Sequence, residues 1–578
     1  MSTIQNPHQP EFFPAPKTPK DPLDQPIYAG AQKVWREMLK PKKTIQIAAC
    51  GEVMITLPEM EIIDARDFQR LRRVRQLGAA CVVYPTALHT RFDHSLGTLE
   101  MVWKMVRSIT GNQHNTEKLG DITPRQKCLA RLYALLHDVP HIPFGHTIED
   151  ELCIFERHDK NSARIDRFLG AESDIGRIVI RHFGKAFHTD LLSLYNWDEK
   201  IESWKGDKAD TFVHDLVSNT VCADLLDYLR RDDFFCNLGV SIRYQFLSYL
   251  YIDEQKDCGL RRVFVRLSKN KGHPRRDLLS DLCRLLEARY LIAERVYFHH
   301  AKITAGAMLG RAIQEASLTV GLDGQLELTE EKMYAHSDDT LVAALETSQS
   351  HTARKLAKAY SDRALYEVWE EYRHADIEKS QNKENAQNAY KHLETTAMDS
   401  RERRRLEDLL TEFTFTEQGD ILFYAPDWRM NRKEARMRVL WQGEQKEFKD
   451  IDDPIAKPNT ESILAAHKRL WSLRVLAKRG LGEWARKTAS KFVEAEFFTL
   501  DPTERKRLRL SLCKSVVRNA SKTQNWPTKA NGADAALQTE SAAERLMEVY
   551  AAGVVHHGGD MTIRQRLDAI HAEFFASE

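Results

Sequence analysis

The sequence predicts a mainly α-helical protein with a small antiparallel β element in its C-terminal region. Apolar residues recur at helical spacing, with only short breaks, from about residue 44 to 311. Between residues 413 and 452 the pattern changes to short runs that are typical of strands. With 578 residues, of which 42% are hydrophobic, the chain is long enough to bury several cores, and it is too apolar to be wholly disordered.

The helical prediction rests on spacing. Phe68, Leu71, Val74 and Leu77 follow one another at intervals of three residues and form one apolar stripe among arginines. The same helical spacing of apolar residues recurs in four further segments, which are 96–109, 125–137, 214–231 and 278–311. A polar stretch over 380–392 is either an exposed helix or a linker, and its low Gly and Pro content favours the helix.

The β prediction rests on three short runs. Residues 421–424, 436–441 and 446–448 are rich in strand-forming side chains, and 442–444 reads Gln-Gly-Glu, which suits a hairpin turn. These features divide the chain into five parts. The predicted parts are a proline-rich arm (1–43), a helical catalytic region (44–311), a helical extension (312–412), a small β element plus a helix (413–475) and a C-terminal helical region (476–578).

Composition excludes several classes of protein. Lys plus Arg number 85 and Asp plus Glu number 84, so a nucleic-acid coat is not expected. No run approaches about 18 apolar residues, so we expect no membrane span. The nine cysteines are scattered without a C-x-x-C pair, which argues against a zinc ribbon or a disulfide framework and favours reduced thiols in the cytoplasm.

Histidines concentrate in one part of the helical region. Seven of the 22 histidines lie between residues 89 and 158, among them the adjacent pair His137 and Asp138 at the end of an apolar helical run. The segment 91–97 (RFDHSLG) lies upstream and 221–228 (VCADLLDY) downstream. Two imidazoles and two carboxylates suit one divalent metal and leave positions open for water and a phosphoryl oxygen. The ordered pattern H…HD…D therefore predicts a metal site.

Four stretches, 62–78, 91–97, 137–146 and 224–232, resemble the HD-domain phosphohydrolases. Within that family they are similar to the deoxynucleoside triphosphate (dNTP) triphosphohydrolases of the SAM-and-HD-domain kind. The likeness covers about residues 45 to 310, nearly half of the chain, and continues more weakly through 413–475. No SAM domain is expected in the proline-rich arm.

The resemblance implies roles for individual residues. The implied metal ligands are His94, His137, Asp138 and Asp224. The implied catalytic group consists of His146, which protonates the 5′ leaving oxygen, with Glu149 as an acid and His141 and His158 along the phosphate path, the latter with Asp159 as an acidic partner. The implied substrate contacts are Gln76, Leu77, Arg91, Tyr228, Asp232, Arg289 and Tyr297.

The resemblance also implies an allosteric site, and the sequence departs from the family at two positions. Asp64, Gln69 and Arg72 match positions that bind an activating guanine nucleotide, whereas by default Arg70, Arg72, Arg73 and Arg75 are expected to form a solvated helix face. Leu225 and Ala293 stand where the mammalian enzyme has a lysine and a histidine on the phosphates. Loss of such a cation costs roughly 1–3 kcal/mol of binding unless another replaces it. The candidate replacements are Arg230, Arg231 and Lys302.

The expected activity is hydrolysis of dNTPs to deoxynucleoside and inorganic triphosphate, with Mn, Fe, Zn or a similar divalent ion in the protein and Mg on the substrate. The resemblance implies a homo-oligomer, a nucleotide activator and a role in lowering dNTP pools, including antiviral defence. The metal motif fits a nucleotide monophosphatase or a signalling-nucleotide phosphodiesterase as well, although 62–97 and Tyr297 favour dNTPs. A nucleotide-sensing module with weak turnover is the third hypothesis, because about 260 residues lie beyond the core likeness.

Overall fold

Helices make up most of the described structure. The computed structural model describes residues 31–111, 122–195, 207–256, 258–268, 273–375, 383–427 and 436–523, together with 541–544, 546, 547 and 565. In this part of the chain the α-helices are, in order, α1 (Ala31–Met38), α2 (Leu57–Asp64), α3 (Arg66–Gln69), α4 (Arg91–Gly111), α5 (Pro124–Leu136), α6 (Ser162–Leu169), α7 (Asp174–Phe183), α8 (Lys185–Ser193), α9 (Thr211–Val217), α10 (Ala223–Cys236), α11 (Arg276–Ile292), α12 (His300–Leu318), α13 (Glu330–Met333), α14 (Asp338–Glu346), α15 (His351–Ser361), α16 (Lys383–Thr395), α17 (Ser400–Thr414), α18 (Ala456–Lys468), α19 (Glu483–Val493) and α20 (Pro502–Thr523).

Three small sheets accompany the helices. Their strands are β1 (Pro41–Ile47), β2 (Gly51–Thr56), β3 (Leu250–Glu254), β4 (Arg261–Arg266), β5 (Glu367–Arg373), β6 (Ile421–Tyr424), β7 (Arg438–Trp441), β8 (Glu444–Glu447) and β9 (Ser472–Ala477). The first sheet is the β1–β2 hairpin, the second has the order β3-β4-β7-β8, and the third has the order β5-β9-β6. All pairs are antiparallel except β4 with β7.

The mainly α-helical prediction with small antiparallel sheets is confirmed. The hairpin at Gln442 and Gly443 joins β7 to β8 as its turn residues indicated, with Gly443 at a φ of 85° that favours glycine. The β element is nevertheless not one unit, because β6 pairs with β9 in the third sheet while β7 joins β4 in the second. The polar stretch at 380–392 falls in part outside the described residues, and the rest lies within α16.

Several strands occur where the pattern predicted only helix. β1 to β4 lie within 41–266, and β5 lies within the predicted helical extension. Of the predicted arm, residues 1–30 lie outside the described part of the chain, while 31–43 form α1 and the start of β1. Among the described residues, no helix combines the length and the hydrophobicity that a membrane crossing requires.

Three apolar cores organise the described residues. The first joins α4, α5, α9 and α10 with the β1–β2 hairpin and α11. The second joins α16, α17, α19 and α20 around β9. The third consists of Ile142, Phe144, Ile148 and Leu152 packed against α12, α14 and α15. The turn after the His137–Asp138 pair therefore packs on helices that follow residue 300, and not only on the helices that carry the pair.

Candidate metal centre and active site

Three helix ends meet in the first core and bring together the four predicted metal ligands. His94 lies in the first turn of α4, His137 and Asp138 follow directly after α5, and Asp224 lies in the first turn of α10. The helix α5 stops here because Pro140 disfavours a helical conformation in the residue before it. One potential ligand atom from each of His94, His137 and Asp138 lies within 4.8 Å of the other two.

Hydrogen bonds fix the tautomers of both imidazoles. Nδ1 of His137 lies 2.8 Å from the carbonyl oxygen of Ala134, and Nδ1 of His94 lies 2.9 Å from Oδ2 of Asp227. Because a carbonyl and a carboxylate only accept hydrogen bonds, each Nδ1 donates a proton and each Nε2 is left as the metal-binding nitrogen. Both Nε2 atoms are buried, and both lie within 4 Å of Oδ1 of Asp224.

The surroundings of these nitrogens are strongly negative. Nε2 of His94 lies 3.0 Å from Oδ1 of Asp224 and 3.7 Å from Oδ2 of Asp138. Burial lowers the pKa of His94, but the contacts with Asp224 and Asp227 outweigh burial and raise it to about 10. Carboxylates that hold a proton so firmly would equally hold a divalent cation, which displaces that proton on binding. The donor set therefore fits a divalent metal.

A glycine allows the carboxylate behind His94 to approach. A Cβ atom on Gly97, one turn after His94 in α4, would lie 1.9 Å from Oδ1 of Asp227. Asp227 is also held by Arg231, with Nε and Nη2 each 2.8 Å from a carboxylate oxygen. The RFDHSLG motif thus supplies both the ligand and the space for the group that orients it.

Asp138 links the metal ligands to a second group of histidines. Its Oδ2 accepts a hydrogen bond of 2.6 Å from Nη1 of Arg91, and its Oδ1 lies 3.2 Å from Nδ1 of His141. Asp138, His141 and His158 form a second set of three groups whose ligand atoms lie within 4.8 Å of one another. Burial raises the pKa of Asp138, but His141 and Arg91 outweigh burial and keep it well below its ordinary value.

The predicted catalytic histidines form one stack that opens to solvent. The ring centroids of His141 and His158 lie 3.4 Å apart, and those of His141 and His146 lie 5.0 Å apart. His141 is fully buried, whereas the side chain of His146 is 48% exposed. His146 is therefore the member of the stack placed to meet an incoming ligand.

The acidic residues near these histidines do not all have the partners that the resemblance implied. Residues Thr147–Glu151 form a π-helical turn, and Nδ1 of His146 lies 2.7 Å from Oδ2 of Asp150. Glu149 instead accepts from Nδ1 of His158 at 3.0 Å and from the guanidinium of Arg164. Both carboxylates keep their pKa below the ordinary value, because their histidine and arginine partners outweigh burial.

These contacts give the stacked histidines different charges. Burial lowers the pKa of His158, but the hydrogen bond to Glu149 outweighs burial and raises it. Burial, together with the cations Arg91 and His158, holds the pKa of His141 well below its ordinary value. The two neighbouring rings are thus shifted in opposite directions, His158 toward its protonated form and His141 toward its neutral form. Asp159, the expected acidic partner of His158, binds the guanidinium of Arg157 at 2.9 Å.

The predicted sugar contacts meet beside α10. The hydroxyl of Tyr297 donates to Oδ2 of Asp232, and Oδ1 of Asp232 lies 3.0 Å from Nε2 of His89. The rings of Tyr228 and Tyr297 lie 6.4 Å apart in an edge-to-face arrangement. No role was predicted for His89, which holds the carboxylate of Asp232 through this contact.

The other residues that are predicted to contact the substrate differ in the partners of their side chains. Arg289 is buried and, within the described chain, makes no ion pair. Oε1 of Gln76 is buried without a hydrogen-bond partner among the described residues, and Leu77 packs against the first core. Arg91 is held by Asp138, as described above. These residues stay predicted substrate contacts.

Two of the three cations expected to replace the missing lysine and histidine are engaged elsewhere. Lys302 is buried and bonded to Glu151, and Arg231 is buried against Asp227. Arg230 is exposed on α10. The structure adds Arg157, whose side chain is 51% exposed and whose Nη1 lies 3.0 Å from Oδ1 of Asp150. No motif marked Arg157 in the sequence.

Only part of the arginine-rich segment 70–75 is exposed to solvent. Arg72 and Arg73 are exposed, but Arg70 is buried and donates 2.7 and 2.6 Å hydrogen bonds to the carbonyl oxygens of His141 and Val139. The expectation was wrong for Arg70 because a 3₁₀ turn over Arg70–Arg73 changes the helical register. Of the predicted allosteric residues, Arg72 donates to Gln69 at 2.8 Å, and Asp64 is exposed.

Family models match most of the region described above. Residues 91–232 match the HD domain, and residues 283–497 match the HD associated region. The four predicted ligands all lie inside the first match. The chain is therefore an HD-domain protein.

The chain is similar over part of its length to several proteins of other organisms. The chain is 28% identical over 344 residues to a protein of Dictyostelium discoideum named deoxynucleoside triphosphate triphosphohydrolase SAMHD1 homolog, covering 57% of this chain and 61% of that protein. It is 26% identical over 294 residues to the deoxynucleoside triphosphate triphosphohydrolase SAMHD1 of Gallus gallus, covering 47% and 45%. It is 27% identical over 340 residues to an uncharacterized protein of Methanocaldococcus jannaschii, covering 58% and 61%. The chain thus spans roughly half to three fifths of the length of these relatives.

Solved structures show the same fold over a longer stretch. A hypothetical protein from Aquifex aeolicus superposes with a TM-score of 0.53 at 21% identity, covering 77% of this chain and 99% of that one. A phosphohydrolase from Bacteroides thetaiotaomicron superposes with a TM-score of 0.53 at 20% identity, covering 76% and 100%. The fold therefore extends beyond the HD domain.

Asp227→Asn should weaken metal binding about 10-fold to 100-fold, because the variant no longer fixes the orientation and basicity of His94. The apparent affinity for Mn²⁺ is measured by competition with a chromophoric chelator. Asp233→Asn on the same helix, whose carboxylate accepts from the backbone N–H of Val240, is the matched control and should bind Mn²⁺ as the wild type does. Equal affinity in all three proteins would contradict the role of Asp227.

Proposed function

We propose that the chain is a metal-dependent phosphohydrolase that cleaves dNTPs to deoxynucleoside and inorganic triphosphate. The observation that carries the proposal is the position of the exposed His146 beside His141 and His158, which share Asp138 with the cluster of possible metal ligands His94, His137 and Asp138. Homology to proteins named dNTP triphosphohydrolases supports the choice of substrate. The HD domain by itself supports only the coarser class.

The metal would be held by His94, His137, Asp138 and Asp224. A bound divalent ion such as Mn, Fe or Zn supplies Lewis acidity toward water and charge neutralisation at phosphate, with Mg²⁺ entering on the substrate. The protein contributes the two oriented Nε2 atoms and the carboxylates around them. Imidazole and carboxylate ligands suit several of these metals, and no identity is assigned.

The histidine stack would bind the phosphates and protonate the leaving group. Despite burial, the hydrogen bond to Glu149 raises the pKa of His158 and favours its charged form near Asp138, and Arg289 is buried without a counter-ion in the described chain. The exposed Nε2 side of His146 would give a proton to the 5′ oxygen, while Asp150 orients the ring through Nδ1. Arg157 stands at the exposed end of this group and would offset the loss of the family lysine and histidine.

Selection for deoxyribose would come from the tyrosine beside Asp232. The hydroxyl of Tyr297 is fixed by Asp232, which is itself fixed by His89, so the ring cannot easily move aside. A ring held in that way against C2′ would exclude a 2′-hydroxyl sterically. We further propose that the protein assembles into homo-oligomers and that Asp64, Gln69 and Arg72 bind an activating nucleotide.

Incubation of the protein with each dNTP and Mn²⁺ or Mg²⁺ should release deoxynucleoside and inorganic triphosphate, because the reacting phosphorus is the one attached to the 5′ oxygen. Products are separated by ion-exchange chromatography and identified by ³¹P NMR. Asp138→Ala should show no turnover, since it loses a ligand shared by both histidine groups. Release of orthophosphate or pyrophosphate alone would contradict the proposal, and turnover of dNMPs or cyclic dinucleotides alone would favour the alternative chemistries.

His146→Ala should lower kcat for dNTPs by about 10²-fold to 10⁴-fold, the range expected for loss of a general acid. The same variant should lose far less activity toward bis(4-nitrophenyl) phosphate, whose leaving group needs no proton. His182→Ala, a histidine that contacts Glu61 outside the site, is the control. An equal loss on both substrates would show that His146 does not act on the leaving group.

A further inference from the structure

The loop that carries the catalytic histidines contains a strained residue. Phe144, between His141 and His146, is buried and has a φ of 56°, in the left-handed region. For a residue with a side chain this conformation costs about 1–2 kcal/mol. Such a residue keeps its conformation only when surrounding contacts hold it.

One carboxylate from a distant helix supplies that contact. Asp338, the first residue of α14, accepts the backbone N–H of Phe144 at 3.1 Å through Oδ1. Its Oδ2 accepts the backbone N–H of Arg75 at 2.7 Å. The side chain is 1% exposed, and Ser337 caps the helix from which it projects. A single rigid group therefore joins two segments that are about 70 residues apart in sequence.

Both segments lead directly to predicted substrate contacts. Arg75 precedes Gln76, and Phe144 precedes His146 by two residues. The segments also touch, since a Cβ on Gly78 would lie 3.4 Å from Cδ1 of Phe144. The bridge thus sets the distance between the segment at Gln76, a predicted substrate contact, and His146, the predicted leaving-group acid.

The ionised, buried carboxylate of Asp338 lowers the stability of the folded state. Burial raises the pKa of Asp338 to about 6, and the N–H groups and the guanidinium of Arg75 offset only part of the effect of burial. Because the folded pKa exceeds the unfolded value, the folded state is less favoured as pH rises from about 4 to 6, and this penalty stays in place at neutral pH. What the buried carboxylate contributes is geometric, since it accepts hydrogen bonds from the backbone of both segments.

We propose that Asp338, contributed by the HD associated region, is a positioning residue that aligns the Gln76 segment with the His146 loop. It touches neither metal nor substrate. The proposal rests on the proposed function for its kinetic readout, and on the two backbone hydrogen bonds alone for its structural readout.

The neighbouring residue offers a matched control. Asp339 binds the guanidinium of the same arginine, with Nη2 of Arg75 2.7 and 2.9 Å from its two oxygens, and its side chain is 77% exposed. Asp338→Asn keeps the shape of the side chain but turns one acceptor oxygen into an NH₂ group that faces a backbone N–H. Asp339→Asn weakens only the side-chain ion pair. The pair of variants separates the backbone bridge from general electrostatics around Arg75.

Hydrogen exchange read by mass spectrometry tests the bridge without reference to substrate. Asp338→Asn should speed amide exchange at least about tenfold in peptides that contain residues 75 and 144, because one of the two N–H groups loses its acceptor. Asp339→Asn should leave these peptides unchanged. Unchanged exchange in both variants would overturn the proposal.

Kinetics then test the consequence for catalysis. Asp338→Asn should lower kcat for dNTPs about 10-fold to 100-fold, as expected when reacting groups are misplaced by about 1 Å. Its metal content and its turnover of bis(4-nitrophenyl) phosphate should stay within about twofold of wild type. Retained dNTP turnover, or an equal loss in Asp339→Asn, would overturn the positioning role. A wild type that cleaves the nitrophenyl diester but no dNTP would refute the proposed substrate and leave the exchange result to decide on the bridge.

Discussion

The described catalytic region depends on three carboxylates that gather around one imidazole. Asp138, Asp224 and Asp227 surround His94 in a largely buried space, and the arginines that face them, Arg91 and Arg231, are each bonded to one of these carboxylates. Buried carboxylates are strongly unfavourable unless a positive charge is close, and here the third positive charge is the proton that raises the pKa of His94. A divalent cation at the two Nε2 atoms would take the place of that proton, and the helix ends that carry the ligands are arranged for it.

The second feature of the site is that two parts of the chain share its construction. The HD domain supplies the metal ligands from the first core, whereas the turn after Asp138 packs in the third core on helices that follow residue 300. Close packing there requires glycine, since a Cβ on Gly310 of α12 would lie 2.1 Å from Cδ1 of Leu152. Arg403 of α17 donates to the carbonyl oxygen of the same Leu152 at 2.7 Å. The catalytic histidines are therefore held from both sides.

The sequence predicted what depends on local pattern. Apolar spacing indicated the helices of the first core, and the ordered H…HD…D residues do come together around one point. It did not predict Asp150 as the partner of His146, because Glu149 and Asp150 lie three and four residues after His146 and both positions can face it on a helix. Nor did it predict the pairing of β4 with β7, because the two strands lie some 170 residues apart and their pairing leaves no local signal. Lys302 was a candidate cation for the phosphates, and only the fold shows that it is buried and paired with Glu151.

The central claim is that His94, His137, Asp138 and Asp224 hold one divalent metal next to the bound triphosphate. A crystal structure with Mn²⁺ and a non-hydrolysable dNTP analogue tests it most directly, with anomalous scattering to locate the metal. The expected result is one peak about 2.0–2.3 Å from both Nε2 atoms and from an oxygen of each carboxylate, with the analogue's phosphates against His141 and His158. A metal peak elsewhere, or an analogue bound away from the histidine stack, would contradict the claim.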